Sequence, residues 1–286
     1  MPPSTTLREL AERAAIRGGE VILEASRSGW AASTAADKGL PGDYVTEVDV
    51  ASEQAITQTL RAADPSIPIL AEEGGRSGDL GDRYWVVDPL DGTTNFVHGF
   101  PAVGVSVALV INGSPTVGAV HAPFLGTTYS AQAGHGAWLT RADRAPVRLR
   151  VSEREAPRAV VGTGFPFRRA ALLPRYLRAF SGALERFEDL RRPGAASLDL
   201  AWTAEGVFDG FFELALAPWD VAAGGLLIRE AGGIVTDWHG GDRWLEGDIL
   251  AGSPAIHAAL LALCRATRRA PFRGPFFVRS TGAGSG

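Results

Sequence analysis

The feature that most constrains this chain is a repeated pairing of short apolar runs with acids at their ends. Ile69-Leu70-Ala71 leads into Glu72 and Glu73, Trp85-Val86-Val87 into Asp88, and Phe211-Phe212 into Glu213. A short apolar run bounded by turn residues reads as a buried strand, which delivers a terminal acid to the edge of a sheet. Around these runs lie helices. Leu7, Leu10, Ala14, Ala15, Gly18, Val21 and Ile22 repeat near the helical period of about 3.6 residues, which predicts a helix over residues 5–26. A second helix is predicted over 46–63, stopped by Asp64-Pro65, after a small, polar loop at 29–42 broken by Pro41.

Residues 103–150 change to short β-like runs divided by glycine, asparagine and proline, the pattern of an antiparallel meander. Beyond it the pattern alternates. Strands are expected at 159–162, 208–214 and near Ile234 and Ile249, and helices at 170–187, 197–204, 219–231 and 254–267. The expectation is an α+β fold of layered helices and sheets, one domain over 1–268 with halves of about 1–150 and 151–268. The tail from 269 to 286, glycine- and proline-rich from Pro271, is expected to be partly disordered.

With 286 residues, 45% of them apolar, the chain can furnish a large core. A net charge of −4 and a pI near 5.8 leave no basic surplus, so no nucleic-acid partner is expected. No membrane partner is expected either, since the longest apolar-leaning run, 103–111, is well short of the roughly 20 residues of a span. MPPSTTLREL lacks the charged start and apolar core of a secretory leader. Cys264, the only cysteine, excludes an internal disulfide and fits a cytoplasmic location.

The densest cluster of polar groups is DPLDGTTNF, residues 88–96. Asp88 and Asp91 at one strand-to-loop edge would repel and raise each other's pKa, a cost that a bound cation removes. Gly92, Thr93 and Thr94 can open a helical turn whose N–H groups and hydroxyls face an anion. Taken alone, these acids read equally well as a turn and a helix cap. Glu72, Glu73, Asp49 and Asp220, each near the end of an apolar segment or helix, strengthen the reading as a metal and phosphate site. The donors are all oxygen, which favours Mg²⁺ or Mn²⁺ over Zn²⁺, and His98 reads as a structural hydrogen-bonding group. Two such ions, about 4 Å apart, clamp the attacking and leaving oxygens of phosphoryl transfer.

Glu72-Glu73, DPLDGTTNF, PWDVAAG at 218–224 and EAGGIVTD at 230–237 resemble the inositol monophosphatase family of Mg²⁺-dependent, lithium-sensitive phosphatases. TGFPF at 163–167 and DGFFE at 209–213 are similar to its bacterial inositol-1-monophosphatase branch. The resemblance implies an αβαβα sandwich, a homodimer and two to three Mg²⁺ ions. It implies that Glu72, Asp88 and the Leu90 carbonyl hold the first ion, and that Asp88, Asp91 and Asp220 hold the second. Glu72, Thr93 and Asp49 would orient the attacking water, with Glu73 and Lys38 in supporting places. Lys38 is the only lysine among 28 lysines and arginines and falls on the loop that closes over the site in the family. Gly92, Thr93 and Thr94 would bind phosphate, and Gly194, Ala195 and Glu213 would bind the alcohol. Two positions depart from the family pattern: GAAS at 194–197 replaces GSAA, and Ala217 stands where relatives often carry a basic or polar residue. The expected substrate is a small phosphorylated polyol, inositol 1-phosphate first, with histidinol phosphate and fructose 1,6-bisphosphate as alternatives. A metal- and phosphate-binding regulatory protein is the alternative outside enzymes.

Overall fold

The structure, a computed structural model, describes residues 6–28, 36–37, 44–167 and 169–266. Lys38, most of the 29–42 loop and the tail from 269 lie outside the described residues. The helices are α1 (Leu7–Arg27), α2 (Glu47–Ala63), α3 (Thr93–Val97), α4 (Leu173–Arg186), α5 (Ala196–Glu205), α6 (Pro218–Glu230) and α7 (Pro254–Ala266). Thr6 caps α1 reciprocally with Glu9, and Thr46 caps α2 reciprocally with Asp49.

Eight strands form the larger sheet. The meander from Arg83–Asp91 through Gly104–Ile111, Ser114–Ala122, Thr127–Gln132 and Gly136–Arg141 ends at Arg144–Arg148, every neighbour antiparallel. Ile69–Ala71 adds in parallel on the other side of Arg83–Asp91, with Gly75–Ser77 at the edge. The second sheet has five strands in the order Asp189–Arg191, Val160–Thr163, Gly210–Glu213, Ile249–Gly252 and Ile234–Thr236.

Strand alternation sorts side chains into layers. Val105, Val107 and Leu109 face α1 and α2, while Ala108, Val120 and Tyr129 face α5 and α6. Phe211 joins the layer of α5 and α6, and its neighbour Phe212 packs with Tyr176 of α4 and Leu260 of α7. The order is therefore helix, sheet, helix, sheet, helix, as expected, with α5 and α6 sandwiched between the two sheets.

The structure departs from the sequence reading at several boundaries. The strand expected to end at Asp88 continues through Asp91. Helix α4 begins at Leu173 after a 3₁₀ turn over Ala170–Leu172, because Pro174 fits only the first turn of an α-helix. The strand expected over 208–214 is limited to Gly210–Glu213. The edge strands Gly75–Ser77 and Asp189–Arg191 carry no apolar alternation that would announce them.

Candidate active site

The site starts from an irregularity in a strand. Pro89 has no N–H to give the ladder, and the pairing with Gly104–Ile111 shifts register between Asp88 and Asp91. Ser52 of α2 holds the bulge by donating to the Pro89 carbonyl at 2.7 Å, and the Leu90 N–H donates to Asp88 Oδ1 at 3.0 Å. Helix α6 brings in the third acid. The Asp220 carboxylate accepts the Ala217 N–H at 2.6 Å, and Ser106 ties the helix start to the large sheet by donating to the Trp219 carbonyl at 2.9 Å.

Carboxylate oxygens of Asp88, Asp91 and Asp220 consequently lie within 4.8 Å of one another. Asp88 is buried, and Asp91 and Asp220 are half-buried at the cleft. Burial, followed by the charges of Glu72, Asp91 and Asp220, pushes Asp88 well above the usual carboxylate range. Burial also raises Asp220 to about 8, with Asp91 and Glu72 adding to it. Asp91 reaches about 6, raised by burial and held down by its bonds to Ser197. Three crowded acids with an all-oxygen donor set fit a hard divalent cation, which would turn their mutual repulsion into attraction. Glu72 stands beside the trio on the same cleft, and its charge raises all three acids and Asp49.

Gly92 follows the bulge at φ +89°, where an added Cβ would also lie 2.9 Å from the Ala102 carbonyl. This left-handed turn opens α3 at Thr93. Thr93 Oγ1 lies 3.0 Å from Asp49 Oδ1 and 3.2 Å from the Leu90 carbonyl oxygen, to either of which it can donate. Asp49 is buried; its second oxygen accepts the Thr46 N–H at 2.9 Å, so the same carboxylate caps α2 and holds Thr93. Glu73 is half-buried, and Glu53 fixes its loop by accepting the N–H groups of Glu73 and Gly74, each at 2.9 Å. His98 is exposed at the end of α3.

The opposite wall comes from the five-stranded sheet and the start of α5. The cleft, about 720 Å³, runs from Glu72, Asp91 and Thr94 to Gly194, Ala195 and Glu213. Gly164 leaves room for Glu213, because a Cβ there would sit 2.1 Å from its carboxylate. Arg192 lies over the rings of Phe165 and Phe167, 5.6 and 5.4 Å from their centroids, and all three line the cleft.

Several residues of the site escape sequence reasoning. Ser197, noted only as part of a departure from the family pattern, donates its N–H and its hydroxyl to Asp91 Oδ2 at 2.7 and 2.6 Å. Asn95 donates to the carbonyls of Ala102 and Pro193 at 2.7 and 2.9 Å, stapling the Gly194 loop to α3. Asp199 is buried in the first turn of α5 and lines the cleft. The displaced serine in GAAS was the one available signal for Ser197.

A sequence profile described as the inositol monophosphatase family matches residues 4–269. A putative Nus factor SuhB of Neisseria meningitidis serogroup B is 44% identical over 257 residues, 89% of this chain and 96% of that one. The crystal structure of extragenic suppressor protein suhB from Bartonella henselae superposes with a TM-score of 0.83 at 34% identity, covering 91% of this chain and 99% of that one. The inositol monophosphatase of Anabaena (Nostoc) sp. PCC 7120 gives a TM-score of 0.78 at 35% identity, covering 91% and 95%. On the profile match and on relatives of this similarity along nearly its whole length, the chain belongs to the inositol monophosphatase family.

Proposed function

We propose that this protein is a Mg²⁺-dependent phosphate monoester hydrolase whose preferred substrate is an inositol monophosphate. The observation that carries the reading is the crowded acid trio beside the Thr93–Asp49 pair, across one cleft from Glu213. Two to three Mg²⁺ ions, or Mn²⁺ in their place, held by Glu72, Asp88, the Leu90 carbonyl, Asp91 and Asp220, would offset the acids' charge and activate water. With the Leu90 carbonyl engaged, the Thr93 hydroxyl donates to Asp49, so it can relay a proton, taking one from the attacking water as its own passes to the Asp49 carboxylate. Gly92, Thr93 and Thr94, opening α3, offer hydroxyls and N–H groups to the phosphate. Glu213, with the backbone of Gly194 and Ala195, receives the hydroxyls of the alcohol. Glu73 supports the loop that carries Glu72, and inhibition by Li⁺ belongs to the same reading.

A homodimer and a cytoplasmic location complete the proposal. Exposed Phe100, Leu125 and Val207 surround an apolar groove of about 430 Å³ beside Arg191 and Trp202, a face suited to a second copy. Sedimentation of the chain as a monomer at micromolar concentration would remove this part. No described helix is long and apolar enough to cross a membrane.

The name borne by the Neisseria relative supports a second reading, a regulatory factor that keeps the fold. That name does not fit the exclusion of nucleic-acid machinery as a partner, which rested on net charge alone. The deciding experiment is phosphate release, with and without Mg²⁺, from myo-inositol 1-phosphate, histidinol phosphate, fructose 1,6-bisphosphate and 3′-phosphoadenosine 5′-phosphate. Mg²⁺-dependent release led by the inositol ester is expected. Release led by another ester overturns the substrate, and none from any of them puts the regulatory reading first.

A further inference from the structure

Asp199 is buried, yet it belongs to the lining of the cleft, where its Oδ1 has no hydrogen-bond partner among the described residues. Other buried side-chain atoms without partners occur on Trp85, Thr127, Arg175 and Ser253, and none of these residues lines the cleft. Folded proteins rarely leave such an atom uncompensated, and one on a binding surface can find its partner in a bound ligand. The remainder of Asp199 is fixed: its N–H donates to the Ala195 carbonyl at 2.9 Å, its carbonyl accepts the Thr203 hydroxyl at 2.9 Å, and its carboxyl faces the Gly194 amide. Asp199 thus lines the cleft from a fixed helical turn with one carboxyl oxygen left without a partner among the described residues.

We propose that Asp199 is a specificity-determining residue of the alcohol side of the cleft, its free oxygen hydrogen-bonding a hydroxyl of a polyol while Glu213 binds another. The inference rests on the hydrolase reading above and narrows its substrate to alcohols with at least two hydroxyls besides the esterified one. Phosphate is the wrong occupant here, because the negative charges of Asp91 and Glu213 act on Asp199 more strongly than the positive charge of Arg192. Burial, reinforced by those two acids, raises the Asp199 carboxyl well above the ordinary range. A neutral carboxyl both donates and accepts, which matches a hydroxyl.

The test compares myo-inositol 1-phosphate with p-nitrophenyl phosphate, an ester that carries no hydroxyl, in the full chain and in the variants Asp199→Ala and Asp199→Asn. A site that hydrogen-bonds a substrate hydroxyl discriminates strongly, so Asp199→Ala should lower kcat/KM for the inositol ester at least about tenfold relative to p-nitrophenyl phosphate. The change should fall on KM, and Asp199→Asn should recover most of it. Equal losses on both esters would reduce Asp199 to a support for the Gly194 loop and overturn the proposal. Asp199→Leu, apolar and close in shape, replaces the alanine variant if that one fails to fold, with the same expectation. If the unmodified chain hydrolyses neither ester, the hydrolase reading fails, and calorimetry with Ca²⁺ present decides Asp199 separately. Weaker binding of inositol 1-phosphate by the variant, with inorganic phosphate binding unchanged, upholds the proposal; unchanged or absent binding of the inositol ester overturns it.

Discussion

The two walls of the cleft differ in how their polar groups are held. On the side of the eight-stranded sheet, Asp88, Asp49 and Thr93 are fixed by bonds to close neighbours, to Leu90, to Thr46 and to one another. On the side of the five-stranded sheet, Glu213 lies against a glycine, Arg192 rests on two aromatic rings, and Asp199 keeps an oxygen in reserve. The first wall is stiff and crowded with acid, as suits the binding of a cation and the orientation of one water. The second is shaped by packing and can exchange one alcohol for another without disturbing the first. Reaction and selectivity are therefore separable by mutation.

The largest effect should come from Asp91→Asn. If Asp91 holds a metal ion as proposed, its loss should cost more than the roughly 100-fold seen for outer partners of metal ligands, with circular dichroism showing the fold retained because a crowded negative charge has gone. Turnover that survives this change would break the division between the walls. Thr93→Ala should lower kcat by about 100-fold, the scale of a lost proton-transfer group, and leave KM nearly unchanged. A rise in KM instead would move Thr93 from water orientation to phosphate binding. On the other wall, Gly164→Ala drives a Cβ into the Glu213 carboxylate and should raise KM for inositol 1-phosphate about tenfold, the cost of one lost hydrogen bond. A matching fall in Mg²⁺ affinity would show that the walls are coupled.

The smallest effect is on stability. Asp91 and Asp220 keep their protons to about 6 and about 8 in the folded chain, above the ordinary 3.8. The folded state then binds more protons than the unfolded one across this window, so stability falls as pH rises from about 4 towards 8. Without divalent cation, Tm should decline over that range, and saturating Mg²⁺ should flatten the decline. A Tm that rises with pH in the metal-free chain, once other groups are controlled with Asp220→Asn, would contradict the crowding of the acids.

The same division explains what could be read from the sequence. Asp88, Asp91, Gly92 and Thr93 form one short run, and local chemistry alone places acids beside a turn suited to an anion. The helix over 7–27 follows from the period of its apolar residues, and that over 47–63 from its stop at Asp64-Pro65. The bond from Ser197 to Asp91 spans 106 positions, and that from Asn95 to Pro193 spans 98. No local pattern encodes either one. Asp199 resembles any acid in the first turn of a helix until the fold buries it against the cleft. The extension of the strand through Asp91 was hidden because Pro89 reads as a terminator, and a bulge lets the chain carry it inside a sheet.

The long reach of the Asp91–Ser197 bond also orders events in time. Six strands of the large sheet pair in sequence order from Arg83 to Arg148 and need little chain closure, whereas the acid trio is complete only when α6 has been synthesised and docked. In chain order, the scaffold strands come well before the segment that completes the acid trio. Recovery of Mg²⁺ affinity during refolding should lag behind recovery of β-structure, so the metal reports on completion of the fold.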